Sequence, residues 1–395
     1  MKIGKFSKFI ASVASAVFVL AALAACGKNP SDRPNDSSSA LVSIGIGGAV
    51  KTRYRMGETF DSSGLIVIAR YKDGTSKVLN TGEYELSAPS GKLIRDGSFT
   101  VEYSGKTAER SIRVVQGDGK TEAQIKNEFT SNKKSHVYNG YSVKFVERAP
   151  DYGPSESEPA PLVLFLHGSG ERGNDNESQL KNSIAHAYDN IESMFYDSYV
   201  IAPQCPYRET EDGEDKPKTD DNVEYTKWVN RDWRSGSYNL SETPETKALA
   251  TVANLVKTYA ARPEIDASRV YVIGLSMGGY GTWDIIARHG EIFAAAVPMC
   301  GGGPLDMAEA LSDMPIYAFH ATNDSAVPYG TGTKAMYDAI SAYGKNNMML
   351  VTMGNDGHAI WDKVWKAGAS EFTYKTEDNK DCPRIIDWMF AQYKA

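Results

Sequence analysis

Two hydrophobic rhythms divide the chain. Between Leu41 and Val115, apolar and polar residues alternate in short runs at 64–71, 77–79, 99–103 and 111–115. Asp73-Gly74 and Ser104-Gly105 supply turns between them, and no helical periodicity intervenes. Runs of this kind predict a small all-β sandwich over residues 41–116, ended by Gln116-Gly117-Asp118-Gly119. From Thr121 the rhythm changes. Strand-like runs at 141–146, 161–166, 199–203, 269–273, 293–298, 315–320 and 348–352 are interleaved with helical periodicity at 247–260, 280–289, 333–343 and 384–393. The run at 161–166 is apolar throughout, as expected of a strand covered on both faces. The alternation predicts an α/β fold with a mostly parallel, doubly wound sheet over residues 121–395. Functional groups in such sheets gather at the carboxyl ends of the strands.

The amino terminus has a third pattern. Met1 to Lys8 is basic, residues 9–25 are apolar and rich in Ala and Val, and Leu23-Ala24-Ala25 precedes Cys26. A basic segment, a short apolar run and small residues before a cleavage site predict an export signal over residues 1–25. The run is short for a membrane span, which needs about 20 residues. Leu-Ala-Ala-Cys resembles the lipobox of bacterial lipoproteins, and that resemblance implies cleavage before Cys26 and lipid attachment to its sulfur. Residues 26–40 are polar, with Pro, Ser and Asp, and predict a flexible tether. The expected mature protein is a body outside the cytoplasm, at the cell surface or a periplasmic membrane face. The lipid on Cys26 would be its one link to the membrane.

Charge and cysteine content narrow the partners. A formal charge of −7 over 395 residues argues against nucleic acid, which needs a basic face. Four cysteines leave Cys205, Cys300 and Cys382 once Cys26 is lipidated. Export permits one disulfide, and Cys205 with Cys300, each following a core strand, is the favoured pair; three free thiols are the alternative. Cys and His spacing shows no zinc pattern, so no metal and no cofactor is expected.

Chemistry enters at Gly274-Leu275-Ser276-Met277-Gly278-Gly279, which follows an apolar strand and opens a helix. In that context G-x-S-x-G forms a nucleophile elbow with Ser276 as nucleophile. A serine hydroxyl needs a base within reach. Of six histidines, His358 lies in a Gly- and Asp-containing loop beyond the last strand, where a base belongs. His289 would face away on the helix after the elbow. His320 reads as support for the acid turn, and His167 as a structural loop residue. Asp324, leaving the preceding strand end, is the expected acid. Asp356 is its rival, ranked lower because two residues is awkward spacing for gripping the ring of His358, and Asp313 lies at the wrong end of its strand. The oxyanion donors should be the amides of Met277, after the nucleophile, and Ser169, in the loop His167-Gly168-Ser169-Gly170. Glu171 and Arg172 are expected to pair and hold that loop.

Two resemblances go further. Tyr54, residues 57–61, Ser63-Gly64-Leu65, Tyr71-x-Asp73-Gly74 and Tyr103-x-Gly105-Lys106-Thr107-Ala108 resemble bacterial immunoglobulin-like domains. Such domains carry no fixed activity, so a spacer is expected and the domain's partner stays open. The segment PLVLFLHGSGERGNDN at 161–176, Ile201 to Pro206, Gly274 to Gly279, Val297 to Gly303 and Gly357-His358-Ala359-Ile360-Trp361 resemble the α/β-hydrolase group of esterases and peptidases. That group is close to feruloyl and acetylxylan esterases and polyhydroxybutyrate depolymerases. The resemblance implies an α/β-hydrolase fold with Ser276, Asp324 and His358 as triad, and leaves the ester open. The polar insertion at 206–244, acidic over 209–221, is long enough to act as a lid or binding loop. Trp233 either stacks on an aromatic acyl group or sugar or packs on the domain, and Trp361 either walls the pocket or anchors its helix. The expected function is a serine carboxylesterase acting on feruloyl or acetyl esters of plant polysaccharides. A serine peptidase of the same fold, or a surface-binding protein with an idle hydrolase domain, are the alternatives.

Overall fold

The alternating segment folds as two facing sheets. β1 (Leu41–Gly48), β3 (Leu65–Tyr71) and β4 (Ser76–Leu79) form one, in the order β1-β3-β4. β2 (Arg53–Arg55), β5 (Glu85–Ser87), β6 (Gly97–Tyr103) and β7 (Lys106–Val115) form the other, in the order β2-β7-β6-β5. Tyr54, Val67, Ala69, Phe99, Val101 and Ile112 are buried between them, which is the inward half of each alternation. The structure is a computed structural model that describes residues 39–182, 184–207, 226–345 and 347–394. The export signal, Cys26, nearly all of the tether and the acidic stretch 209–221 lie outside the described residues. No helix among the described residues is long and apolar enough to cross a membrane.

The second region is an eight-stranded sheet. After α1 (Glu122–Thr130), it uses β8 (Lys133–Tyr138), β9 (Tyr141–Arg148), β10 (Ala160–Leu166) and β11 (Tyr199–Gln204). α2 (Lys247–Ala260), β12 (Ile265–Leu275), α3 (Met277–His289), β13 (Ala295–Met299) and α4 (Ala308–Leu311) follow. β14 (Ile316–Ala321), α5 (Thr333–Ser341), β15 (Met348–Met353), α6 (Trp361–Val364) and α7 (Ile385–Phe390) complete it. The strand order is β15-β14-β13-β12-β10-β11-β9-β8. The six strands from β15 to β11 are parallel, and β9 and β8 extend the edge antiparallel. β10 is buried at every position, because helices cover both faces. One core packs α2, α3 and α5 on one face, and the other packs α1, α6 and α7 on the opposite face.

Among the elements absent from the sequence reading are α1 and β8. α1 opens with a capping box: the Thr121 side chain accepts from the Gln124 amide, and the Gln124 side chain accepts from the Thr121 amide. β8 and β9 form a hairpin closed by Asn139-Gly140, both at positive φ (50° and 78°). That dipeptide is a strong hairpin signal.

The expected Cys205–Cys300 disulfide does not form. Cys205, Cys300 and Cys382 are all buried and in no disulfide. β11 and β13 are separated by β10 and β12, so the two strand ends lie about 14 Å apart at ordinary strand spacing. A disulfide needs Cα atoms within about 7 Å.

The sandwich docks on the amino ends of the parallel strands. Arg53 donates to Asp197, just before β11, at 3.1 Å, and Thr52 donates to the same carboxylate at 2.8 Å. Arg53 and Asp197 are both buried. The Ser111 hydroxyl and amide donate to Glu158, just before β10. Arg70 reaches Ser268, near the start of β12, at 3.5 Å. By their contacts, Ser39–Ala395 form a single unit.

Candidate active site

The elbow sits where backbone approaches backbone. β12 ends at Leu275 and α3 starts at Met277, so Ser276 alone makes the turn, at φ 55° and ψ −118°. A non-glycine residue held there costs roughly 1–3 kcal/mol. The turn is pinned by the Ser276 amide donating to the Met299 carbonyl at 2.9 Å and by the Tyr280 amide donating to the Ser276 carbonyl at 3.1 Å. The flanking glycines answer a packing need. A Cβ on Gly278 would lie 1.9 Å from the Leu166 carbonyl oxygen, and one on Gly274 would lie 2.2 Å from the Gly278 carbonyl oxygen. The predicted helix at 280–289 therefore begins three residues earlier.

Asp324 leaves the end of β14 and His358 the end of β15, both at the same sheet end as Ser276. His358 Nε2 lies 2.8 Å from Ser276 Oγ, and His358 Nδ1 lies 2.7 Å from Asp324 Oδ2. The Asp324 side chain is fully buried and that of His358 is 23% exposed, so Asp324 is dry while His358 meets solvent. The other carboxylate oxygen of Asp324 accepts from the Ala326 and Val327 amides at 2.8 and 2.9 Å. Burial by itself would raise the Asp324 carboxyl. Hydrogen bonds from His320, His358 and the Val327 amide outweigh it and hold the group well below its ordinary value. The His358 loop is tied to the Asp324 turn by the Gly357 amide donating to Asn323 Oδ1 at 2.8 Å. The Cys300 thiol donates to the His358 carbonyl at 3.3 Å.

The rivals have other partners. Asp356 bonds Lys363 and Tyr374, and Asp313 pairs with Lys345. His289 faces Glu245 and Lys257. Cys300, His320 and Asp324 bring a thiol, an imidazole and a carboxylate within 4.8 Å, yet each already has a hydrogen-bond partner inside the site.

The loop after β10 lies against the nucleophile: a Cβ on Gly168 would come 3.5 Å from Ser276 Cβ. Ser169 opens a short 3-10 turn, Ser169–Glu171, and Met277 is the first residue of α3. Amides at the start of a helical turn have no preceding carbonyl within the turn to bond. His167 shapes this loop. Its Nδ1 faces the Gly168 carbonyl at 2.6 Å, and its Nε2 accepts from the Cys205 amide at 2.8 Å. Burial pushes the imidazole down to about 4, so it is neutral with the proton on Nδ1. Glu171 and Arg172 do not hold the loop as a pair. Glu171 accepts from Asn182 at 2.6 Å, while Arg172 donates to the Ser169 and Thr226 carbonyls. Adjacent side chains on a tight turn diverge and find separate partners.

Of the tryptophans, Trp361 stands edge-on to the His358 ring, centroids 5.7 Å apart, and packs on the core as well. Trp233 is half-buried against the core, with Lys227 over its ring at 5.3 Å. Trp228, outside the predicted site, is fully buried and donates from Nε1 to the His167 carbonyl at 3.1 Å. It thus ties the far end of the insertion to the oxyanion loop. Its apolar neighbour Val229, also buried, was the signal that the insertion returns to the core.

The sheet, the elbow and the Ser-His-Asp line define an α/β hydrolase behind an immunoglobulin-like sandwich. Residues 220–389 match the dienelactone hydrolase family, and residues 48–115 the bacterial Ig-like domain (group 3). The chain is similar to the bifunctional acetylxylan esterase/xylanase XynS20E of Neocallimastix patriciarum, 31% identical over 84 residues. Those residues are 21% of this chain and 12% of that protein. A segment of 111 residues is 31% identical to pectate lyase L of Thermoclostridium stercorarium, covering 28% of this chain and 8% of that protein. The chain thus spans about a tenth of the length of these curated relatives. A thermostable esterase of known structure shares the fold over 91% of this chain and 87% of that one, with TM-score 0.51 and 21% identity.

Proposed function

We propose that this protein is a serine carboxylesterase that removes acetyl or feruloyl groups from plant polysaccharides. The observation that carries the reading is the continuous line from Ser276 Oγ through His358 to Asp324, with contacts of 2.8 and 2.7 Å. In the forward step, His358 Nε2 takes the Ser276 proton as Oγ attacks the ester carbonyl. Asp324 holds the Nδ1–H tautomer and stabilises the imidazolium. The Met277 and Ser169 amides receive the oxyanion. His358 then protonates the departing alcohol, and a water activated by the same imidazole releases the acid from the acyl-enzyme. The polysaccharide assignment is supported by two relatives named for xylan and pectate. Export by residues 1–25 and lipidation at Cys26 would bring the site to a polymer too large to enter the cell. Trp361, against His358, is assigned to the pocket wall, and Trp233 to sugar or acyl stacking.

Ser276→Ala is expected to lower turnover of p-nitrophenyl acetate by at least about a thousandfold while the circular dichroism spectrum is kept. Retained turnover would end the assignment. On a panel of acetylated xylan, feruloylated oligosaccharide and peptide substrates, the esters should lead; faster peptide cleavage would make the protein a peptidase. Lipidation is read by incorporation of labelled fatty acid, which Cys26→Ser should abolish.

A further inference from the structure

Asp324 faces a second histidine. His320, at the end of β14, is fully buried, and its Nε2 lies 3.2 Å from Asp324 Oδ2 and 3.0 Å from the Val327 carbonyl oxygen. Both neighbours are acceptors only, so Nε2 must carry a proton. Its other nitrogen, Nδ1, lies 2.8 Å from Thr333 Oγ1, and that hydroxyl also lies 2.8 Å from the Gly301 carbonyl oxygen. The threonine has one proton to give. If it goes to Gly301, His320 Nδ1 must donate too and the ring is a cation. If it goes to Nδ1, the ring is neutral with the proton on Nε2. Either way, Nε2 carries an N–H that serves the Val327 carbonyl, and the carboxylate oxygen that His358 uses lies 3.2 Å from the same nitrogen.

We propose that His320 is a positioning residue that shares Asp324 Oδ2 with His358 and so sets the pH range in which His358 acts as base. The proposal rests on the serine-hydrolase reading above. A second donor on Oδ2 takes up part of the carboxylate's negative charge. Less of that charge is left to stabilise a proton on His358 than in a His358–Asp324 pair alone. A cationic His320 gives the same sign as a neutral one, and a larger effect. The remaining titratable groups around the cluster are few. The Cys300 thiol lies within 4.8 Å of Asp324, and the Tyr280 hydroxyl is turned to the Trp233 and Gly236 carbonyls; burial pushes both up, so they stay neutral. The Tyr329 ring stands edge-on to His320 at 5.6 Å, and its hydroxyl is turned to Thr352 and Glu377. The histidines and Asp324 thus govern the local charge.

Two variants separate tuning from mere packing. His320→Phe fills similar space without a donor, and His320→Gln keeps an amide N–H near the place of Nε2. The acid limb of kcat/KM for p-nitrophenyl acetate should move up by about half to one pH unit in His320→Phe and return toward the wild-type position in His320→Gln. An active His320→Phe with an unmoved acid limb would overturn the proposal. Should that variant fail to fold, nitrogen-15 histidine NMR of the unaltered protein decides. His320 Nε2 should remain protonated at pH 8, and an unprotonated Nε2 would overturn the proposal. The spectrum needs no turnover, so this proposal and the esterase reading fail separately: Ser276→Ala tests the second and leaves the first in place.

Discussion

Asp324 and Asp356 both lie on turns beside His358, and their surroundings differ. Asp324 is dry, accepts from the Ala326 and Val327 amides and meets Nδ1 of the imidazole. Asp356 is taken by Lys363 and Tyr374. Asp324→Asn should lower kcat by about ten-thousandfold, because the amide no longer fixes the imidazole tautomer. Asp356→Asn should change kcat by less than about tenfold, since it loses only one loop-edge ion pair. Esterase kinetics on the two variants check this, and the reverse ranking would move the acid to Asp356. His167 makes a different prediction. Its folded proton affinity is depressed by burial to about 4, from 6.5. Between those pH values the unfolded chain binds the proton that the folded chain refuses. Stability is therefore full above about 6.5 and is lost as pH falls toward 4. Urea midpoints over this range should fall with acidification, and the His167 share of that slope should vanish in His167→Gln.

At the scale of elements, the elbow depends on the approach of α3 to β10. A Cβ on Gly278 would meet the Leu166 carbonyl oxygen at 1.9 Å, and neither backbone can retreat without parting helix from sheet. Gly278→Ala should cost about 3 kcal/mol or more and abolish turnover. Gly140→Ala, at φ 78° with nothing within 4 Å, should cost about 1 kcal/mol and leave turnover unchanged. Thermal melts paired with kinetics distinguish the two. The same contrast shows what the sequence could reveal. Long apolar runs such as β10 and the periodic α2 were legible because burial on fixed faces dictates their residue types. That Ser276, Asp324 and His358 meet could be expected because each follows the carboxyl end of a strand in the same sheet. β8 escaped because an edge strand beginning Lys133-Lys134 has little apolar pattern, and edges favour charge over hydrophobicity. α1 escaped because it buries only Ile125 and Phe129. The cysteine pairing failed for a topological reason. Strand order, which local pattern does not encode, puts two strands between β11 and β13.

Across the whole molecule, the sandwich and Ser276 lie at opposite ends of the same strands. Ser268, touched by Arg70, and Ser276 are separated by most of β12, about 25 Å at the rise of an extended strand. The sandwich therefore does not wall the site of its own chain. It is nonetheless more than a loose spacer, because its docking uses buried charge. Arg53 and Asp197 are both buried, and Arg53 also lies over the Tyr196 ring at 4.7 Å. Removing one partner leaves the other charge dry and unpaired, which typically costs 3–5 kcal/mol. Arg53→Ala should lower stability by about 3 kcal/mol, and the sandwich and hydrolase layers should still unfold in one transition. Arg53→Met with Asp197→Leu should recover most of that loss, since an apolar pair leaves no stranded charge. Neither change should alter kcat on a soluble ester by more than about twofold, because the parallel sheet stands between the interface and Ser276. Urea unfolding followed by tyrosine and tryptophan fluorescence, with turnover measured on the same samples, reads all three outcomes. A tenfold fall in kcat at unchanged fold would mean that the amino-end interface reaches the triad through the sheet.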